Sequence, residues 1–246
     1  MRYLVLSDIH ANLEALDAVL ADSFDAGCER TLVLGGLVGY GADPNAVVER
    51  VRAMANASVI RGNHDKVATG IETSEGFNYF ARAAVAWTGH ALRPDNHAYV
   101  LNLAKGPMAI DDQVEICHGS PFDEDTYVFD ELEARRALQT ATRRLCLFGH
   151  THVPSCFSLS GDRFDGRVPL EGARVEVPFT GERTIVNCGA VGQPRDGDWR
   201  AAYGIADTDA GSVTVVRVEY DVEAAQAKIL AAGLPETLAL RLRGGR

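Results

Sequence analysis

Apolar residues fall along the chain in two alternating rhythms. Short runs at Arg2–Leu6, Thr31–Leu34, Ala57–Ile60, Val114–Cys117, Leu145–Phe148 and Thr184–Val186 are largely apolar, as strands buried on both faces are. Between the first three lie segments of helical spacing. Asn12 is a cap candidate ahead of Leu13, Leu16, Val19 and Leu20. Asp43 as N-cap and Pro44 at the first helical position open a helix with Val47, Val48, Val51 and Met54 on one side. This β-α-β-α-β order predicts parallel strands with right-handed crossovers. Further on, the pattern predicts a helix over 78–92, a strand over 98–103, turns at Gly106-Pro107 and Asp111-Asp112, and a helix over 130–138. Residues 153–183 change character, and turns at Ser160-Gly161-Asp162 and Glu171-Gly172 predict antiparallel hairpins. A hairpin over 201–206 and 213–218 follows, and then a helix capped by Asp221 and stopped by Gly233 and Pro235. Residues 241–246 read as a frayed end. No repeat, linker or low-complexity tract divides the chain, so residues 1–246 are expected to form one domain.

Composition narrows the function classes. At 246 residues and 46% hydrophobic, the chain can bury roughly 70–75% of its unfolded surface. A formal net charge of −10 suits a soluble protein and disfavours long nucleic acids as partners. No apolar run reaches the length of a membrane span, and Asp8 comes too early for a signal-peptide core. The five cysteines are odd in number and lack any Cys-x-x-Cys spacing, which points to reduced thiols in a cytoplasm. Residues 153–183 and the C-terminal helix are the segments available for contacts between copies in a homo-oligomer.

The chemistry sits where the apolar runs end. Asp8-Ile9-His10 follows the first, Asn63-His64-Asp65 the third, and His118 and His150-Thr151-His152 follow two later ones. Ligands of parallel sheets gather at the carboxyl ends of the strands. A histidine by itself is more often structural, and His90 and His97 are read so. Five histidines at converging strand ends reverse that weighting. Asp8 and His10, two apart on an extended segment, can turn toward one ion, and His150 and His152 share that spacing. Mixed nitrogen and oxygen donors suit Mn, Fe, Ni, Co or Zn better than Ca or Mg. Two such ions about 3.5–4 Å apart make a site for phosphoester displacement.

In this order, Asp-x-His, Gly-Asn-His-Asp, a lone His before Gly, and Gly-His-Thr-His resemble the calcineurin-like metallophosphoesterases, over the stretch from Asp8 to about Asp196. The Ser-Asp-Ile-His-Ala-Asn opening looks most like the small bacterial and archaeal phosphodiesterases, some of them diadenosine-tetraphosphatase-like. The resemblance implies a four-layer α/β/β/α sandwich of two mixed β-sheets, and a binuclear centre of two divalent ions. Asp8, His10 and His152 resemble the ligands of the first ion, and Asn63, His118 and His150 those of the second. His64 matches the acid that protonates the leaving oxygen, with Asp65 orienting it; a helix N-cap is the competing role for Asp65. Arg195, Gln193 and Tyr40 are candidate contacts to the substrate phosphate. A metal-activated water would then hydrolyse a phosphodiester or phosphomonoester, nucleotides among them.

One position departs from the pattern. The family's second motif reads Gly-Asp, and that carboxylate bridges both metals, whereas here Gly36 stands in Leu34-Gly35-Gly36-Leu37. Asp8 is left as the one anionic ligand, with little to offset repulsion between two divalent ions. Asp43 is a conceivable substitute, against which its N-cap position counts. The expectation is lowered occupancy of the second metal site and impaired hydrolysis. The alternative is a non-catalytic or single-metal relative that binds a phosphate ligand as sensor or scaffold.

Overall fold

The computed structural model describes residues 1–246. In chain order the elements are β1 (Arg2–Leu6), α1 (Leu13–Asp22), β2 (Arg30–Val33), α2 (Pro44–Arg52), β3 (Ala57–Val59), α3 (Asn63–Ala68), α4 (Tyr79–Ala91), α5 (Pro94–Leu101), β4 (Met108–Ala109), β5 (Val114–Ile116), α6 (Glu131–Thr140) and β6 (Leu145–Phe148). Then come β7 (Ser155–Ser160), β8 (Arg163–Arg167), β9 (Arg174–Pro178), β10 (Arg183–Asn187), β11 (Ala201–Asp207), β12 (Ser212–Val218), α7 (Val222–Ala231) and α8 (Glu236–Gly244). Two six-stranded sheets result, in the orders β3-β2-β1-β11-β12-β9 and β4-β5-β6-β10-β7-β8. Strands β1, β2 and β3 run parallel in the first, and β5, β6 and β10 in the second. The remaining pairings are antiparallel, so both sheets are mixed.

Successive strand residues face opposite ways, and here both faces are apolar. Leu4 and Leu6 pack with Leu16, Val19, Val47 and Ile229 beneath the helices. Their neighbours Tyr3 and Val5 join Val114, Ile116, Leu147 and Val213 between the sheets. On the far side Cys146 and Phe148 meet Ala134, Ala137 and Leu138 of α6. Helices, sheet, sheet and helix thus form the four-layer α/β/β/α sandwich. Leu147 is fully buried, and truncating such a residue to Ala costs about 2–5 kcal/mol.

Three segments depart from the sequence-based expectation. Residues 98–101 are the end of α5 and not of a strand. Pro94 takes its first position, and Asn96 and Val100, four apart, are both buried, so packing overrides the β-propensity of Tyr99-Val100. The turn at Glu171-Gly172 leads to β9, which does not return beside β8. It pairs with β12 in the other sheet, where Val177 is buried between the sheets. The C-terminal arginines are not frayed. Leu238, Ala239 and Leu242 bury one face of α8, and Gly245 closes it at φ +58°.

The carboxyl ends of β1, β2, β3, β5, β6 and β10 all emerge on one edge of the sandwich. The loops that follow them carry Asp8 and His10, Gly36, Asn63, His118, His150 and His152, and Arg195.

Candidate metal centre

One group of donors is closely assembled. Ligand atoms of Asp8, His10 and His152 all lie within 4.8 Å of one another, and all three residues are buried. Asp8 Oδ1 is 3.6 Å from His10 Nε2 and 3.4 Å from His152 Nε2, and the two Nε2 atoms are 3.2 Å apart. Each ring is oriented through its other nitrogen. His10 Nδ1 lies 2.9 Å from the carbonyl of Val38, and His152 Nδ1 lies 2.6 Å from that of Gln193. A carbonyl accepts only, so Nδ1 carries the proton and the Nε2 lone pairs converge. Asp8 Oδ2 accepts from Ser7 Oγ at 2.6 Å and from the backbone N–H of His150 at 2.9 Å. Its Oδ1 is sealed from solvent with no partner. An orphaned carboxylate oxygen facing two lone pairs is costly in a protein and is what a divalent cation requires. Burial alone would raise the Asp8 pKa, but His152, His10 and His118 outweigh it and hold the carboxyl well below its ordinary range.

Asn63, His118 and His150 face one another more loosely. His118 Nδ1 donates to the Leu34 carbonyl at 2.7 Å, and its Nε2 lies 3.2 Å from Asn63 Oδ1. The His118 and His150 rings are 4.9 Å apart. His150 is turned the other way round, with Nε2 on the Asp125 carbonyl at 2.9 Å, which leaves Nδ1 as its donor atom. Burial and the neighbouring His118 lower the His150 pKa to about 3, and burial and Arg195 push that of His152 well down. Neutral imidazoles are the form that ligates metals.

The backbone is strained where these side chains converge. Asp8, His10, Ala11, Tyr40, His150 and His152 all have positive φ, and Asn56 is the only other non-glycine residue that does. Left-handed backbone costs such residues roughly 1–2 kcal/mol each, and strain of this kind collects at functional sites. Gly39, at φ +86°, leaves room for the acid candidate: a Cβ there would lie 2.3 Å from His64 Nδ1. That Nδ1 is buried without a partner, whereas Nε2 is not sealed and reaches the cleft. Burial, His10 and Arg195 push the His64 pKa well below its usual value.

Asp65 does not touch the His64 ring. Its Oδ2 accepts from the N–H groups of Gly36 at 2.9 Å and Gly62 at 2.8 Å, and its Oδ1 accepts from Val38 at 3.1 Å. Burial raises its pKa, and the Gly62 and Val38 donors oppose the rise. Asp65 is not the N-cap read as the competing role: Gly62 is, and Asp65, at the third position of α3, closes the first turn by accepting from the Gly62 N–H. The same carboxylate ties α3 to the loop after β2. Asp43 pairs with Lys228 Nζ at 2.7 Å and supplies no carboxylate to the centre.

The substrate candidates divide. Tyr40 is 4.7 Å from the His10 ring and 4.3 Å from the His64 ring, and its hydroxyl accepts from Arg195 Nη2 at 3.2 Å. Gln193 is buried and sends Nε2 to the Arg246 carbonyl at 3.3 Å, away from the cleft. Its contribution is the backbone carbonyl that orients His152, because the turn into the following loop points its side chain at the C-terminal segment.

A cleft of about 300 Å³ opens beside the centre, lined by Tyr40, Asn63, His64, Phe77, Tyr127 and His150 among others. A larger hollow of about 770 Å³ includes Arg2, Asp207 and Ser212, at the opposite end of β1 from the donor cluster. The pattern reading also missed Lys66. Its ammonium is fully buried and donates to Glu72 at 2.9 Å, Glu124 at 3.2 Å and Asp125 at 2.6 Å. Those three carboxylates have cation-site spacing, and Lys66 is the cation. By holding Asp125 it holds the carbonyl that orients His150. A lysine three residues after Asn63, facing an acidic stretch, was the one available clue.

The description of the calcineurin-like phosphoesterase superfamily domain matches residues 1–211. The chain belongs to that family. A protein of Methanocaldococcus jannaschii described as uncharacterized is 33% identical over 98% of this chain and 97% of its own length. The crystal structure of a metallophosphoesterase from Sphaerobacter thermophilus is 40% identical, covers 100% of this chain and 99% of its own, and superposes with a TM-score of 0.84. A hypothetical protein from Pyrococcus horikoshii shares the fold at a TM-score of 0.77 and 20% identity, over 100% of this chain and 98% of its own. The family is one of metal-dependent phosphoesterases, and the donor set beside the cleft suits a divalent ion. No helix is long and apolar enough to cross a membrane.

Proposed function

We propose that this chain hydrolyses a small phosphodiester or phosphomonoester, nucleotides included, at a rate held down by Gly36. The observation that carries the reading is the orphaned Oδ1 of Asp8 facing the Nε2 atoms of His10 and His152. Asp8, His10 and His152 would hold one divalent ion, and Asn63, His118 and His150 a second. When bound, such ions supply Lewis-acid charge that activates a water and offsets the phosphate's charge. A water oxygen bonds to phosphorus as the ester oxygen leaves. His64, whose ring lines the cleft, is the acid for that leaving oxygen, the phosphate's negative charge favouring the protonated ring that burial disfavours. Asp65 acts as a positioning residue, since it holds α3 and the Gly36–Val38 loop together around His64. Arg195 and the Tyr40 hydroxyl face the phosphate. All 246 residues contribute to this one unit, and the five free thiols support a reducing, cytoplasmic setting.

Gly36 lies where the family's bridging carboxylate stands. Its φ is +70°, and a Cβ there would come within 2.8 Å of Asp8 Oδ1. A side chain at this position therefore reaches the Asp8 carboxylate itself, and glycine removes that anion. The absence favours the second reading, a single-metal relative that binds a phosphate ligand without turning it over. Metal analysis paired with bis-p-nitrophenyl phosphate hydrolysis, for this chain and Gly36→Asp side by side, decides between them. Slow turnover that rises with metal content on restoring the carboxylate supports the first reading. Absence of turnover in both, with one tightly held metal, supports the second. High turnover with two full-occupancy metals in the unchanged chain would overturn the impairment.

A further inference from the structure

The C-terminal helix brings up to Tyr40, a lining residue of the cleft, a charged group that the metal chemistry leaves unused. The guanidinium carbon of Arg241, on α8, lies 5.6 Å from the Tyr40 ring centroid, and that of Arg195 lies 5.7 Å from the same centroid. Tyr40 packs against His10 at 4.7 Å, so both cations sit one ring's breadth from a metal-ligand candidate. No side-chain carboxylate pairs with either, whereas the shielded Arg61 has Glu124 and Arg217 has Asp196. In a chain of net charge −10 carboxylates are not scarce. Arg195 Nε is buried with no hydrogen-bond partner, and Arg241 Nε donates to a main-chain carboxyl oxygen of the last residue, Arg246, at 2.8 Å. Burial and the like charge of Arg195 lower the Arg241 pKa, and Tyr40 opposes the fall. Two half-buried guanidiniums on one ring repel each other and are well suited to an anion.

Their placement is built. Leu238, Ala239 and Leu242 anchor α8, and the Gly197 N–H donates to the Gly245 carbonyl at 3.0 Å. Gln193 Nε2 bonds the Arg246 carbonyl. The loop that carries Arg195 therefore also pins the segment that carries Arg241. Arg195 leads from the His152 carbonyl, to which its own N–H donates at 3.2 Å, so it is the cation nearer the scissile phosphate. Arg241 is left for something beyond it, and it lies outside the residues that match the family.

We propose that Arg241, set beyond the Arg195 and Tyr40 groups that face the scissile phosphate, forms a subsite for a second phosphate, so that the preferred ligands are phosphoesters carrying another phosphate a short spacer away. This rests on the phosphoesterase reading. The test is calorimetric titration of Mn²⁺-equilibrated protein with propyl phosphate and with propane-1,3-diol bisphosphate, which differ only in the second phosphate. Wild type is expected to bind the bisphosphate at least tenfold more tightly, and Arg241→Gln to reduce that ratio to near one while remaining folded by circular dichroism. Equal affinities in wild type, or a ratio that survives in Arg241→Gln, overturn the subsite alone. Loss of both ligands together in folded Arg241→Gln assigns Arg241 to the scissile phosphate and likewise overturns it. Failure of wild type to bind either ligand overturns the phosphoester reading, and the subsite with it.

Discussion

The two halves of the donor cluster are built differently. In the first, Asp8, His10 and His152 have one carboxylate and two imidazoles, each imidazole fixed by a backbone carbonyl of an adjoining strand-end loop. In the second, Asn63, His118 and His150 bring no anion, and His150 is oriented by the carbonyl of Asp125. Asp125 is half-exposed, and Lys66 holds its carboxylate. The first half resists change because strained backbone and buried hydrogen bonds fix it. In the second, the buried Leu34 carbonyl fixes His118, but His150 depends on a carbonyl held through the ion pairs of one lysine. A divalent ion gains most where a carboxylate meets preorganised imidazoles, so the first half is expected to fill first and hold longer.

The strongest way to break the contrast is Asp8→Asn. It removes the sole anion of both halves while keeping the shape that accepts from Ser7 and His150. Metal content at the first site should fall, with hydrolysis down by more than about 100-fold, beyond what loss of an outer orienting group costs. Metal analysis by emission spectroscopy and bis-p-nitrophenyl phosphate turnover read both. Retention of metal would show that the imidazoles alone define the site.

Gly36→Asp should narrow the difference instead. A carboxylate beside Asp8 would serve both halves, so the ratio of bound metal to protein should rise toward two and turnover climb by about tenfold or more. The metal-free protein should meanwhile lose about 1 kcal/mol, because an aspartate at φ +70° pays for the left-handed backbone. Denaturant unfolding in chelator measures that cost. A variant that gains stability without metal would contradict the crowding at Asp8 Oδ1.

What the sequence disclosed follows the same divide. Asp8, His10, His118, His150 and His152 were legible because buried parallel strands announce themselves as apolar runs, and metal-ligand residue types at their ends stand out. Asp65 was half legible. Its place three residues after Gly62 signals a cap, but its bonds to Gly36 and Val38 depend on a loop folding back from nearly thirty residues away. Lys66 and Arg241 were not legible as site residues. A lone lysine and an arginine-rich tail look like surface, and only tertiary contacts with the 119–127 loop and with Tyr40 give them a role. The same blindness misplaced Tyr99-Val100, where burial decided against local propensity, and β9, whose partner lies in the other sheet.

Lys66→Met tests the weaker half directly. Glu124 keeps Arg61 as a partner at 3.1 Å, so the fold should survive with a loss of roughly 2 kcal/mol for charged hydrogen bonds. Asp125 and its carbonyl would be released, and affinity for the second metal should fall about 10–100-fold, with the first site unchanged by competitive chelator titration. Equal loss at both sites would mean that Lys66 supports the fold and not the half-site.

The smallest effect is in acid. Burial raises the Glu124 pKa, but hydrogen bonds from Arg61 and Lys66 outweigh it and hold the carboxyl below its ordinary value of 4.5. A carboxylate whose folded pKa is depressed stabilises the fold fully above its unfolded pKa, and that contribution is lost as pH falls through the folded value. In chelator, the melting temperature of wild type should therefore drop as pH is taken from about 6 to below about 4.5. Lys66→Met removes one of the two cations responsible, so its folded pKa lies closer to 4.5 and less stability remains to be lost. The drop should be smaller in the variant by about 2–4 °C, the shift expected of about 1 kcal/mol in a protein this size. Parallel melting curves for the two proteins would mean that Arg61 alone sets the Glu124 carboxyl, and that Lys66 acts on the second half only through Asp125.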